Sequence, residues 1–132
     1  MLFIDTNIAI AMRDVDRATI ERVRAFAMMP SISIMTRIEL EDGVNRNPAV
    51  AVQRRARLDR FLQDVEVEYF SREDILVYGR IVNRLGHDRR LTLDRLIAAQ
   101  AISRNATLVT RNGKDFRKIE GLRLEEWETP DM

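Results

Sequence analysis

Short apolar stretches alternate with longer amphipathic segments along most of the chain. The apolar stretches are rich in Val, Ile, Phe, Tyr and Thr, a composition typical of β-strands. They predict five strands: Leu2–Ile4, Ser31–Met35, Val65–Tyr69, Thr107–Thr110 and Leu122–Glu125. Strands separated by helices in this way indicate a parallel sheet that is covered on both faces. The pattern therefore predicts an α/β fold with a central parallel sheet of four to five strands flanked by helices.

The amphipathic segments have recognisable helix ends. Asn47-Pro48 resembles an N-cap followed by proline at the first helical position. Ser71 and Asp74 have the spacing of a capping box, and Gly86 is placed to end the helix that follows. Helices are thus predicted at 18–28, from 36 onwards, at 47–62, at 71–86 and at 93–105.

Composition narrows the classes of function. The 132 residues suit one domain spanning 1–132, and 45% hydrophobic with 33% charged residues is the balance of a soluble globular protein. No apolar run approaches the roughly 20 residues of a membrane span and no signal peptide is recognised, so we expect a cytoplasmic protein. There is no cysteine and only one histidine, His87, which excludes thiolate chemistry and paired imidazoles. Polar chemistry must rest mainly on carboxylates, hydroxyls, amides and arginines.

Two acidic residues each come after a predicted strand. For each of them, catalysis and helix capping are competing explanations of the acidic side chain. Asp5 comes directly after the first strand, where open α/β sheets place their ligands, but aspartate is also a common N-cap. Glu39 shares a helix face with Gly43, whose lack of a side chain allows close approach of a neighbour. However, Thr36-x-x-Glu39 is itself a capping box. Local sequence leaves both explanations open.

A third acid, Asp94, falls on a helix face that is expected to be buried. On a helical wheel it lies beside Ile97 and Ala98, where an unpaired carboxylate is costly. A first-turn acid also stabilises the helix dipole, but an exposed position would serve that purpose equally well. Arg95, Gln100 and Ser103 are predicted to supply most of the polar face of the same helix.

The fourth acid, Asp115, lies in the segment TLVTRNGKDF. Thr110 ends a predicted strand and Asn112 follows it, so both should lie on the same rim of the sheet as Asp5. The structural alternative is a helix capped by Asn112 with Asp115 in its first turn.

Taken together, these segments resemble the PIN domain and, within it, the single-domain toxins of VapBC toxin–antitoxin modules. The matching segments are FIDTN, TRIELEDG, DRLIAAQA, and TLVTRNGKDF followed by GLRLEEW, in the family's order and spacing along the whole chain. The resemblance implies a PIN-like fold and a metal-dependent endoribonuclease that hydrolyses RNA phosphodiester bonds. It implies a catalytic site of Asp5, Glu39, Asp94 and Asp115, with metal held by Asp5, Asp94 and Asp115. It implies supporting polar groups at Thr6, Asn7, Thr110 and Asn112. Asp88 matches nothing in the family pattern.

The predicted cofactor follows from the donor chemistry. Two carboxylates about 4 Å apart repel by roughly 4 kcal/mol at an effective dielectric near 20, so converging acids require a cation or protons. All-oxygen ligation selects hard divalent ions, which favours Mg²⁺ or Mn²⁺ over zinc. Such ions activate water and stabilise phosphate charge, so hydrolysis needs no histidine.

Every basic residue except Lys114 and Lys118 is arginine, whose planar fork suits phosphate. A GC-rich genome would produce the same bias. We expect RNA contacts from the three arginines near the motifs, which are Arg13, Arg37 and Arg111. The cluster Arg54, Arg55, Arg57 and Arg60 is more typical of a solvated helix face.

The resemblance further implies a cognate antitoxin protein and homodimerisation, with no membrane association. One alternative is a catalytically inactive PIN-like module that binds RNA or protein, against which the retention of all four acids argues. A phospho-receiver domain would need paired acids after the first strand, and this chain has one.

Overall fold

Five short strands form one parallel sheet in a computed structural model that describes residues 1–128. The strands are β1 (Leu2–Ile4), β2 (Ser31–Ser33), β3 (Glu66–Glu68), β4 (Thr107–Thr110) and β5 (Arg123–Glu126). They lie in the order β3-β2-β1-β4-β5, and every neighbouring pair is parallel. The predicted α/β fold class, with its parallel sheet flanked by helices, is confirmed. The predicted domain extent of 1–132 stays a prediction, because residues 129–132 lie outside the described residues.

Six α-helices connect and cover these strands. They are α1 (Thr6–Arg13), α2 (Arg17–Arg24), α3 (Ile34–Asn45), α4 (Ala51–Phe61), α5 (Arg72–Leu85) and α6 (Thr92–Ser103). Short 3-10 turns lie at Pro48–Val50, Leu62–Asp64, Arg89–Leu91 and Gly113–Asp115. Within residues 1–128, no helix has the length and apolarity needed to cross a membrane.

The central strand β1 is buried on both faces of the sheet. Because successive strand side chains point to opposite faces, Leu2 and Ile4 enter one core layer while Phe3 enters the other. The first layer is built with residues of α1 to α4, and the second with residues of α5 and α6. The carboxyl end of β1 is therefore held rigidly between two packed layers.

Helix α3 begins earlier than predicted, which changes the interpretation of Glu39. The N-cap is Ser33, whose hydroxyl accepts a hydrogen bond from the Met35 backbone N–H at 3.0 Å. The predicted extension of β2 to Met35 and the predicted capping box at Thr36 are therefore wrong. Thr36 instead shares a 3.0 Å hydrogen bond with the Thr6 hydroxyl. Glu39 lies in the second turn of α3, so capping does not explain it.

Helix α5 begins and ends as predicted, and Asp74, the acid of its capping box, has a structural role. Asp74 accepts a hydrogen bond from the Ser71 backbone N–H at 2.8 Å, and the capping box is complete. Gly86 ends the helix with a φ of +82°. Asp74 also accepts hydrogen bonds from Ser103 and, at 2.6 Å, from Arg104, which fastens α5 to the end of α6. Burial raises the pKa of Asp74, but these hydrogen bonds outweigh it and hold the pKa below its ordinary value.

The predicted polar face of α6 is wrong at two of its three positions. Arg95 and Gln100 are both buried, whereas Ser103 is exposed. The Arg95 guanidinium donates to the Gly86 carbonyl at 2.6 Å, and the Gln100 amide donates to the Glu68 carbonyl at 2.9 Å. Backbone acceptors from other elements allow these polar side chains to be buried.

Candidate active site

Asp5 both caps a helix and lies at the carboxyl edge of the sheet. One carboxylate oxygen accepts the Ile8 backbone N–H at 3.1 Å as the N-cap of α1. The other accepts a hydrogen bond from the Thr110 hydroxyl at the end of β4. The residue is only 4% exposed. Burial raises the pKa of Asp5, although the hydrogen bonds from Thr110 and Ile8 oppose this effect. The two explanations that the sequence left open are therefore compatible.

A chain of hydrogen bonds connects Asp5 to Asp115. The Thr110 hydroxyl, which donates to Asp5, accepts the Asn112 backbone N–H at 2.9 Å. The Asn112 side-chain amide then donates to the Asp115 carboxylate at 2.6 Å. Asn112 occupies the N-cap position of the following 3-10 turn and Asp115 lies in its first turn, but the Asn112 side chain makes no cap hydrogen bond there. Thr110 and Asn112 instead orient two acids.

Asp94 lies in the first turn of α6, and the pKa of its carboxyl group is strongly raised. Burial raises its pKa to about 6, with further increases from the negative charges of Asp115, Asp5 and Glu39 in that order. Arg90 opposes the shift. All four predicted acids thus lie close enough for three of them to act electrostatically on the fourth.

Glu39 is the most peripheral of the four acids. Burial raises its pKa, Asp42 raises it further, and Arg46 lowers it. Its carboxylate is the weakest of the three acidic influences on Asp94. The predicted close approach at Gly43 is observed, since a Cβ there would lie 3.4 Å from Arg13 Nη1.

The acids influence one another electrostatically without closing around a common point. Within the described residues 1–128, no three acidic or histidine side chains are placed so that they could together hold an ion. The donor set nevertheless fits a hard divalent cation, because the candidates are carboxylates whose burial and mutual repulsion a cation would relieve. On donor chemistry, the residues present fit a Mg²⁺ or Mn²⁺ ion.

The three arginines predicted to contact RNA have different surroundings. Arg13 is 5% exposed and its Nε lies 3.0 Å from Asp14, so its burial argues against an RNA contact. Arg37 is partly exposed and pairs with Glu41 at 2.9 Å. Arg111 is partly buried, and its guanidinium donates to the Thr19 hydroxyl at 2.7 Å.

Sequence reasoning missed one cation beside the acids. Arg90 lies 3.8 Å from Asp115 and 3.7 Å from Asp88. Asp88 itself caps the 3-10 turn before α6 by accepting the Arg90 backbone N–H at 3.0 Å, which accounts for it structurally. The adjacent arginines Arg89 and Arg90, a few residues upstream of Asp94, were the available signal.

Comparison with known proteins gives the family. The model of the PIN domain matches residues 2–122. The chain belongs to the PIN-domain family. Ribonuclease VapC2 from Rickettsia felis is 38% identical to this PIN domain over 101 residues, which are 74% of each chain. Ribonuclease VapC1 from Haemophilus influenzae strain R2866 is 31% identical over 130 residues, covering 94% of this chain and 96% of that protein.

The fold of this PIN domain is also found in solved structures. The crystal structure of VapBC2 from Rickettsia felis bound to a promoter DNA fragment matches with a TM-score of 0.82 and 31% identity. That match covers 97% of this chain and 100% of the other. The resemblance on which the sequence analysis relied is confirmed.

The raised pKa of Asp94 predicts how the stability of the metal-free PIN domain depends on pH. The folded state holds a proton on Asp94 up to about pH 6, whereas the ordinary pKa is 3.8. Asp94 therefore lowers the free energy of unfolding progressively between about pH 4 and pH 6, and fully above that. We expect the stability difference between Asp94→Asn and wild type to be near zero at pH 4 and to favour the variant by about 1–2 kcal/mol at pH 7.5, a value reduced for solvent screening. Urea unfolding in EDTA across this range measures the difference, and a difference independent of pH would contradict the assignment.

Proposed function

We propose that this PIN domain is a Mg²⁺- or Mn²⁺-dependent endoribonuclease that acts as the toxin of a toxin–antitoxin pair. The observation that carries the proposal is the environment of Asp94. Burial and three further acids raise its pKa to about 6 at the edge of the sheet. Such an arrangement destabilises the metal-free protein, and clustered, perturbed acids are characteristic of functional sites.

The chain's own residues prepare this site for a phosphodiester. Thr110 and Asn112 hold the carboxylates of Asp5 and Asp115 in fixed orientations through their hydrogen bonds. Asp94 is ionised in most molecules at neutral pH, because its pKa of about 6 lies below that value. Asp5, Asp94 and Asp115 would hold the ion, and Glu39 would contribute charge from α3.

A bound divalent ion supplies an activated water and stabilises negative charge on the reacting phosphate. The protein must then orient the RNA and exclude competing positions of the water. His87 is not required for this chemistry; it is exposed, and it lines with Asp88 and Arg89 the cavity that also reaches Asp115. A nuclease built on carboxylates is therefore consistent with a chain that has a single histidine.

The relatives support the substrate and the partner. A relative from Shigella flexneri, 28% identical over 127 residues, is named tRNA(fMet)-specific endonuclease VapC. We infer an RNA substrate for this chain, a cytoplasmic location where such RNA is found, and a cognate antitoxin like the partners in the VapBC complexes. Homodimerisation is the further expectation that the family resemblance supports.

The surface offers a place for such an antitoxin. A groove of about 590 Å³ lies between α2 and α4, and the exposed side chains of Met28 and Met29 contribute to it. Contiguous exposed apolar surface of this kind marks protein-binding sites. Arg24 and Arg60 at the groove favour an amphipathic segment that carries acidic residues.

Incubation of the purified protein with total RNA, in Mn²⁺ or in EDTA, tests the proposal. We expect discrete cleavage products with Mn²⁺ and intact RNA with EDTA. Intact RNA under both conditions, from a protein with a cooperative thermal unfolding transition, would favour the inactive binding module instead.

Glu39→Gln is expected to weaken the enzyme without removing its activity entirely. Because Glu39 is the most peripheral acid, we expect cleavage to fall by roughly tenfold. Expression of the wild type without antitoxin should arrest growth of the host, and this variant should restore it at least in part. Growth curves of strains with matched protein levels provide the measurement. Unchanged toxicity of the folded variant would show that the harm does not arise at this site.

A further inference from the structure

A strongly basic cavity lies beside the acidic site. It has a volume of about 730 Å³ and lies between the turn that precedes α6 and the turn that follows β4. Its cationic lining residues are Arg84, Arg89, Arg90, Arg95, Lys114 and Lys118. Only two carboxylates, those of Asp88 and Asp115, line the same cavity. This local excess of positive charge contrasts with a net charge of only +1 for the whole chain.

Several of these cations are available to a ligand. Arg84 pairs with Glu120, and the Arg95 guanidinium donates to the Gly86 carbonyl. Arg89, Lys114 and Lys118 make no ion pair with any acid among residues 1–128. All three are exposed. Unpaired cations that face one cavity repel each other, and binding of a polyanion relieves that repulsion.

The cavity opens directly onto the acidic site. Asp115 lines the cavity, and its carboxylate is held by Asn112, which is linked through Thr110 to Asp5. Arg90 lies 3.8 Å from Asp115 and is the cation nearest to that acid. A polyanion lying in the cavity therefore extends to the acids at one end.

We propose that this cavity binds the phosphates of single-stranded RNA on one side of the scissile bond, with Arg89, Lys114 and Lys118 as the contacting cations. The inference rests on the proposed ribonuclease function and assigns the path of its substrate. Cations that neutralise phosphates supply affinity that depends on salt and carries little sequence information. They are positioning residues, and the carboxylates remain the reacting site.

An acidic segment of a protein partner is the competing occupant, and the cavity fits it less well. Protein interfaces have an apolar core that is poor in charged residues. Here the apolar lining is limited to Leu85 and Leu91 among cations. The groove beside Met28 and Met29 has the apolar character that this cavity lacks.

The double variant Arg89→Gln/Lys118→Gln tests the proposal, because neither residue touches the acids. The probe is a fluorescein-labelled single-stranded RNA, and its anisotropy is measured in EDTA at several salt concentrations. We expect the affinity at low salt to fall on the order of tenfold. The slope of log K against log salt should become shallower by about 1.4, since each lost phosphate contact accounts for roughly 0.7 with single strands. In Mn²⁺, KM should rise while kcat stays close to wild type.

Arg72→Gln/Arg123→Gln is the matched control, because it removes the same charge from exposed arginines that line neither this cavity nor the groove beside Met28. We expect this control to keep the wild-type salt slope and KM. If wild type cleaves RNA and both double variants bind it equally well, the cavity is not the RNA path, although the proposed function stands. Loss of antitoxin binding with unchanged RNA binding in Arg89→Gln/Lys118→Gln would assign the cavity to the protein partner. Failure of wild type to bind or cleave RNA would overturn the function itself.

Discussion

Asp94→Asn is expected to lower Mn²⁺-dependent RNA cleavage by more than about 100-fold while the fold is retained. Removal of groups that only orient a metal ligand already lowers activity by about 10–100-fold, and Asp94 is proposed to be a ligand. Three other acids act on its carboxylate, so it lies at the centre of the cluster. Initial rates of cleavage of a labelled RNA, at saturating Mn²⁺, measure the effect.

Asp59→Asn is the matched control for this variant. The substitution is chemically identical, but Asp59 lies on α4 with a side chain that is 60% exposed and a partner, Arg55, at 3.3 Å. We expect its cleavage rate to equal that of wild type. If Asp94→Asn cleaved at a comparable rate, the acid whose pKa is raised to about 6 would have no part in catalysis, and the proposed site would be wrong.

Mn²⁺ is expected to stabilise the wild type strongly and Asp94→Asn only slightly. An ion that binds only the folded protein raises the free energy of unfolding by about 2.7 kcal/mol at a concentration of one hundred times its Kd. The variant starts from a more stable metal-free state and should lose most of this gain. Urea unfolding of both proteins at pH 7.5, in EDTA and in Mn²⁺, measures the four values.

A substitution of Asp94 tests metal binding more directly than a substitution of Asp5. Neutralising Asp5 would relieve repulsion between the acids, but it would also remove charge-assisted hydrogen bonds from Thr110 and Ile8, so the two effects on stability oppose each other. At Asp94, burial and neighbouring charges determine the raised pKa and no hydrogen bond contributes to it, so the relief of repulsion is not opposed in this way. Equal stabilisation of wild type and variant by Mn²⁺ would show that the ion binds elsewhere. A lower stability of Asp94→Asn in EDTA would show that the acids do not repel as inferred.

Local sequence patterns predicted the elements well where the deciding residues are neighbours. The capping box at Ser71 and the stop at Gly86 depend on contacts within one helix, and both are found in the structure. The start of α3 was predicted two residues too late, because Ile34 and Met35 continue an apolar run that is typical of a strand. Ser33 nevertheless provides the cap, and these two residues form the first turn of the helix.

The features that could not be predicted depend on hydrogen bonds between residues that are distant in the sequence. The burial of Arg95 and Gln100 depends on carbonyl groups of residues on other elements, which a helical wheel does not include. The common rim for Asp5 and Thr110 was predicted from parallel pairing, but the hydrogen bond between them requires the register of β1 against β4. The role of the four acids in catalysis stays a prediction, supported by their mutual influence on Asp94.

The pairing of β1 with β4 determines when the site can form during synthesis. Asp5 is synthesised 105 residues before Thr110, so the sheet around it stays incomplete until β4 can pair with β1 and bring Thr110 to its carboxylate. Asp115 follows still later. Because chains fold progressively from the N-terminus as they are made, a chain still being translated holds Asp5 and Asp115 apart until β4 and the turn that follows it have emerged. The topology thus makes assembly of the acidic site one of the later steps in folding, because the oldest acid depends on a strand and a turn that are synthesised long after it.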